Sequence, residues 1–174
     1  MSAPSGWEGI LDEDENILWQ GRPDGAVVWK LSNIPAILFG LFFSGFALFW
    51  MVMAASAGGV FWMFAIPHFL IGFGIGIGPI YWNAYKRRHS WYTLTDKRAL
   101  IATELPVQGR KLKSYPITKT TMLGMDTNDP ASITFASRIQ RLKNGTREIK
   151  IGFERIEDGT QVYRLMRDIQ EGKS

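Results

Sequence analysis

Cysteine is absent from the 174 residues. Disulfides, thiolate metal centres and a cysteine nucleophile are therefore excluded, which fits a domain facing the cytoplasm. Histidine occurs only at His68 and His89. No Walker phosphate loop, no His-Glu-x-x-His and no Gly-x-Ser-x-Gly is present, so the common signatures of nucleotide, zinc-protease and serine-hydrolase chemistry are missing. Residues 31–85 contain no Asp, Glu, Lys or Arg. The N-terminus lacks the basic start and immediate apolar core of a secretion signal. Its first thirty residues are polar, with Asp12-Glu13-Asp14-Glu15 in the middle, and the first apolar run begins only after Lys30.

The charges that are present divide the chain into three. Residues 1–30 carry two basic and six acidic side chains, a balance of −4, and residues 86–174 carry 18 basic and 10 acidic, a balance of +8. Between them lies the uncharged run of 55 residues. A membrane span needs about 20 mostly apolar residues, so this run predicts two, Ile34–Met53 and Val60–Tyr81, joined across the small residues 54–59. Trp29 and Trp50 are 21 positions apart, and Trp62 and Trp82 are 20 apart. At the helical rise each interval covers roughly 30 Å, the hydrocarbon thickness, and Trp favours the water–lipid boundary. Trp29 and Trp82, with Tyr81 and Tyr85, are the expected anchors at one boundary, and Trp50 and Trp62 at the other. Asn33 or Ser32 is placed to cap the first helix, with Pro35 in its first turn. In the second span Gly72/Gly76 and Gly74/Gly78 repeat at four-residue spacing, which permits close approach of another helix, either the first span or a partner. The Gly-x-Gly string has no strand–helix context for a nucleotide loop. His68 lies inside the second span and His89 beyond its opposite boundary, so the two cannot jointly hold one cofactor within a single chain.

From Ser90 the pattern changes to short strands. Trp91–Thr95 and Ala99–Thr103 flank a turn at 96–98. Lys113–Ile117, with Pro116 marking an edge, Thr121–Met125 and Ser132–Ala136 follow. Asn144-Gly145 is a hairpin turn signal, and Ile149, Ile151 and Phe153 alternate with charges as in a half-buried strand. Val162, Leu165, Met166 and Ile169 form one apolar stripe on a terminal helix over 158–171, capped by Asp158 or Thr160. A further strand is expected at Ile17–Pro23, before a Pro23-Asp24-Gly25 turn. If it joins the C-terminal strands, the membrane hairpin is an insertion within a domain of about seven strands. The expected organisation is a cytoplasmic arm over 1–30, a transmembrane hairpin over 31–85 and a cytoplasmic β-domain over 86–174.

Three stretches carry a resemblance to a known family. Glu15-Asn16-Ile17-Leu18-Trp19-Gln20-Gly21-Arg22-Pro23 precedes a two-span hairpin, and Tyr92-Thr93-Leu94-Thr95-Asp96-Lys97-Arg98-Ala99-Leu100-Ile101 follows it. In this the chain resembles the bacterial pleckstrin-homology-like, two-span membrane proteins. The resemblance implies a small β-barrel or orthogonal sandwich closed by a C-terminal helix. It implies a docking platform and no particular activity. Eukaryotic relatives often bind phosphoinositides through a basic loop between the first two strands, and here the hairpin replaces that loop.

The function expected from these features is a non-catalytic, membrane-anchored docking or scaffold module that binds or regulates another inner-membrane protein, or a second copy of itself. No catalytic residue, metal, cofactor, nucleic acid or small-molecule substrate is assigned. Asp96, Asp126 and Asp129 read as turn and loop residues rather than metal ligands. Lys86, Arg87, Arg88, Arg110, Lys111 and Lys113 are the candidate contacts for anionic lipid at the inner leaflet, each worth about 1 kcal/mol near the surface. Lys119, Arg138, Arg141, Lys143 and Arg147 add further positive charge. Lipid sensing by these clusters is one alternative function, and a small membrane enzyme with an unrecognised site is another. The basic residues on both flanks of the hairpin place both termini in the cytoplasm. A periplasm-active reporter fused to Ser174 should therefore be silent and a cytoplasm-active one functional; the reverse pattern would invert the topology.

Overall fold

The computed structural model describes residues 9–106, 108–142 and 145–173. The chain separates into two compact units, one made of residues 25–85 and one made of residues 1–24 with 86–174.

The first unit is a pair of long apolar helices, α1 (Ile34–Ser56) and α2 (Ala65–Arg88), the latter running on past residue 85. A 3-10 turn at Leu31–Asn33 leads into α1, and Asn33 takes the cap position without a side-chain cap bond. A second 3-10 turn, Phe61–Phe64, precedes α2, so the second helix starts and ends later than the hydropathy alone predicts. Between the helices Gly58 and Gly59 both take positive φ, 84° and 82°, a conformation that only glycine adopts cheaply. The helices meet through small residues. Gly40, Ser44 and Ala47 are the buried positions of α1, and a Cβ on Gly40 would stand 2.5 Å from the Gly72 carbonyl oxygen and 2.7 Å from the Gly76 Cα. Ser44 Oγ donates to the Phe69 carbonyl at 3.2 Å. The large side chains point outward, Leu41 at 70% exposure and Phe42 at 76% among them. Only 17% and 22% of the two apolar windows are buried within the chain, so neither is the covered core helix of a globular domain.

The second unit contains two antiparallel sheets. The first, in order β1-β2-β3-β4, consists of β1 (Ile17–Gly21), β2 (Ser90–Thr95), β3 (Arg98–Leu105) and β4 (Gly109–Pro116). The second, in order β5-β6-β7, consists of β5 (Gly124–Asp126), β6 (Ala131–Leu142) and β7 (Gly145–Ile156). The strand ahead of the helices therefore belongs to the same sheet as those after them, with Gly21 opposite Tyr92. Helix α3 (Gly159–Glu171) follows. One core joins both sheets and α3: Tyr92, Leu94, Ile133, Phe153, Val162 and Met166 are all at or below 5% exposure. Val162, Met166 and Ile169 are the buried stripe anticipated from their spacing.

Several local expectations are corrected. The Pro23-Asp24-Gly25 turn does not form; residues 22–30 have no regular structure. Instead Asp24 is gripped from both sides. Its carboxylate accepts from Arg155 Nη2 at 2.6 Å and Nε at 3.1 Å, its N–H donates to the Arg155 carbonyl at 2.8 Å, and its carbonyl accepts from Arg87 Nε at 2.9 Å. Arg155 sits in the left-handed region at φ 49°, which is costly for a side chain with a Cβ; these bonds, and one from its N–H to Ser132 Oγ, hold it there. Asp158 occupies the cap position of α3 but makes no side-chain cap bond; its carboxylate accepts from Trp19 Nε1 at 3.4 Å instead. The strand expected over Thr121–Met125 is confined to β5, because Thr118 and Thr121 close a turn ahead of it. Asn144 lies outside the described residues, and the strands it joins pair as far as Leu142 opposite Gly145.

A second lock ties the N-terminal arm to the β2–β3 turn. The Glu15 side chain is wholly buried and receives Arg98 Nη2 at 2.6 Å, Arg98 Nε at 2.8 Å and Thr95 Oγ1 at 2.6 Å. Asn16 N–H donates to Asp96 Oδ1 at 3.1 Å, and Asp96 N–H to the Asn16 carbonyl at 3.1 Å. The Arg98 guanidinium, against some loss from burial, holds the Glu15 carboxyl down at about 2. A carboxylate lowered on folding stabilises the protein above its unfolded value, and that stability is lost as pH falls through the folded value. The contribution is about 3 kcal/mol, complete above pH ~4.5 and draining towards pH 2. Glu15→Gln should remove about 3–5 kcal/mol at neutral pH and flatten the acid limb of thermal unfolding in detergent. An unchanged acid limb in that variant would show that the lock does not carry this dependence.

Candidate docking surface

Strand alternation puts every second side chain on the core face, and β6 and β7 obey this only at their base. Ile133, Phe135 and Phe153 are buried, and Ala136 and Ile151 pack against the core. Beyond them all the described positions from Ser137 to Arg141 and from Gly145 to Lys150 are exposed, on both faces. The two strands stay paired along this length, with Arg138 opposite Ile149 and Gln140 opposite Arg147. The result is a two-stranded ribbon projecting from the unit.

Aromatic contacts give its course. Phe153 meets Trp19 of β1 at 5.5 Å and Tyr92 of β2 at 4.7 Å between ring centroids. Phe135, two residues nearer the tip than the partner of Phe153, meets Tyr115 of β4 at 5.6 Å. The second sheet thus crosses the first from β1 towards β4, and β4 is the last strand of its sheet. The ribbon therefore leaves the core on the side of β4, whose outer edge pairs with no other strand among the described residues. Burial pushes the Tyr115 phenol up, and the nearby Arg138 guanidinium pulls it part of the way back.

The basic residues singled out from sequence do not form one patch. Arg87 is buried, at 7% exposure, and donates to Asp24; it staples the fold and is not presented for headgroup contact. Lys86 and Arg88 are exposed at the end of α2. Arg110 pairs with Glu104 at 2.9 Å and Lys111 Nζ donates to Gln108 at 3.1 Å; Lys113 is exposed. Lys111 lies in register with Thr103, and Thr103 with Ser90, so it stands at the sheet end where β2 begins. Lys143 lies outside the described residues.

In the helical unit Gly72 and Gly76 face Gly40 and Ser44 of α1, so the close approach is made within the chain, whereas a Cβ on Gly74 or Gly78 would meet nothing within 4 Å. Trp50 packs near Phe61 at 6.2 Å and Trp82 stacks on Tyr85 at 5.8 Å; Trp29 is 64% exposed and Trp62 half-buried. A groove of about 360 Å³ runs between Leu41, Gly45 and Leu48 of α1 and Phe69, Phe73 and Ile77 of α2. His68 Nδ1 lies 2.9 Å from the Phe64 carbonyl of its own helix. Asp126 is engaged by Asn128 through N–H and Nδ2, and Asp96 by Asn16. Among the described residues no group of three or more His, Asp or Glu side chains is placed to hold a metal ion.

The length of the ribbon was missed because the strand reading stopped at Ala136. The strong turn signal at Asn144-Gly145 requires two arms of comparable length, and that symmetry would have extended β6 to Leu142. No family model, curated protein or solved structure matches this chain.

The helix contact is directly testable. Gly72→Ala would bring a methyl to 2.5 Å from Ser44 Oγ and 2.9 Å from a Phe43 ring atom, and should cost about 1–3 kcal/mol. Gly74→Ala should leave the thermal midpoint in detergent unchanged or raised. Equal effects of the two substitutions would contradict this packing.

Proposed function

We propose that the chain is a two-span membrane protein carrying a pleckstrin-homology-like β unit, and that this unit is a non-catalytic docking module for another protein of the same membrane. Small residues inside and large apolar ones outside is the arrangement expected when lipid is the solvent of a helix pair. A soluble protein leaves few continuous apolar faces of that size uncovered. The four-plus-three strand order with a closing C-terminal helix supports the pleckstrin-homology-like reading. In that reading the helices interrupt the fold between its first two strands. The basic flanks support cytoplasmic termini at the inner membrane.

The observation that carries the docking reading is the ribbon. Ordering a backbone residue costs roughly 1–2 kcal/mol, and an isolated two-stranded hairpin is marginal in water. The described residues 137–141 and 145–150 add almost nothing to the core of their own unit, so their order serves contacts outside it. The carboxyl most strongly lowered, Glu15, is already spent on Arg98 and Thr95, which weighs against reading it as a reactive group. A second reading, contact with anionic lipid, is favoured by Lys86, Arg88, Arg110 and Lys111 near the ends of α2 and of the first sheet; it predicts vesicle binding that falls with salt.

Tagged chain purified from native membranes in mild detergent should carry a stoichiometric membrane partner. A variant in which Ser137 and Lys150 are joined by a two-residue turn should lose it. Elution of the chain alone, at low salt and after crosslinking, would overturn docking.

A further inference from the structure

The core-facing side of the first sheet includes Ala99, Ile101 and Tyr115. By register Tyr115 is opposite Ala99, Lys113 opposite Ile101 and Lys111 opposite Thr103. Lys113 and Lys111 therefore share the core-side face of the edge strand, about 7 and 13 Å along it from Tyr115 respectively. The ribbon's core-side face runs outward from Ala136 and Ile151 to Arg138 and Ile149, then Gln140 and Arg147. Both faces meet at Tyr115, where Phe135 packs and Arg138 acts on the phenol. They form a re-entrant corner with four exposed cations, Lys111, Lys113, Arg138 and Arg147. The carboxylates of the same strands lie on the other faces: Glu104 is in register with Arg110, and Glu148 with Ile139.

We propose that this corner is the docking site for an extended acidic segment of a partner protein, laid along the open edge of β4. Three features select that occupant. An edge strand offers unpaired main-chain groups to an incoming strand. Lys on an edge repels ordinary apolar strands but complements one bearing Asp or Glu at alternate positions, which match the two-residue spacing of Lys111 and Lys113. A corner admits a chain, whereas a flat bilayer reaches only one of its walls. This inference rests on the docking reading and specifies its surface.

The test uses the full chain in nanodiscs of zwitterionic lipid and a fluorescein-labelled peptide of alternating Glu and Thr, with a Lys–Thr peptide as control. Fluorescence anisotropy at low salt should show saturable binding of the Glu–Thr peptide only. Replacing Lys111, Lys113, Arg138 and Arg147 together by Gln should weaken it by about tenfold or more, since several close charges act together. Replacing Arg110 and Arg141, on the opposite faces, by Gln should leave it within about twofold, because those charges do not line the corner. Absence of binding by the folded chain, or equal weakening by both sets of substitutions, overturns the proposal. So does recruitment of phosphatidylglycerol-containing vesicles through the four residues when the peptide is ignored, which would make the membrane the occupant. A partner that still co-purifies with the four-residue variant would leave docking standing and remove this corner from it. Peptide binding without any co-purifying partner would do the opposite.

Discussion

The pairing of β1 with β2 is the constraint on which the rest of the molecule depends. Gly21 stands opposite Tyr92, and everything between them in sequence, both apolar helices included, must leave and return within one strand spacing. Closing so long a connection is costly in chain entropy, though the cost grows only slowly with length. Two polar locks offset it. Glu15, Thr95 and Arg98 fix the arm ahead of β1 to the turn after β2, and Asp24 holds Arg87 and Arg155 where the chain departs and returns. Both rest on short, charge-assisted bonds, roughly twice as strong as neutral ones, with the Glu15 carboxylate wholly buried and Asp24 and Arg155 partly exposed. Arg22 over the Trp91 ring at 4.8 Å adds a third contact at the same place.

These locks give the stretches that flank the helices a physical role. Glu15 and Arg98 are the two ends of one ion pair, Asn16 and Asp96 exchange bonds, and Trp19 reaches from β1 to Phe153 and to Asp158 at the start of α3. The stretches before and after the helices are complementary halves of one structure. Their chemistry is consumed in holding the fold, which leaves the proposed docking to residues that no core contact explains.

Most of the architecture was legible because burial leaves a periodic trace. The uncharged run over 31–85, the alternation through Phe153 and the stripe of Val162, Met166 and Ile169 each report one solvent boundary. The ribbon was not legible as such: both its faces are wet, so residues 137–141 carry no alternation. Arg87 was misplaced for a related reason. In a Lys-Arg-Arg run composition cannot say which side chain turns inward; here Arg87 does, donating to the carbonyl of Asp24, 63 residues earlier. The turn signal of Pro23-Asp24-Gly25 was overridden by the same long-range contact.

The central claim is that a single β unit is built from residues on both sides of the helices in sequence. Amide hydrogen exchange on the full chain in nanodiscs tests it most directly. The β1 amides that point into β2, every second one along this edge strand, should exchange as slowly as the paired amides of β2, because one cooperative sheet protects them together. Fast exchange at β1 beside a protected β2–β3 hairpin would show that the N-terminal strand is not part of the folded unit.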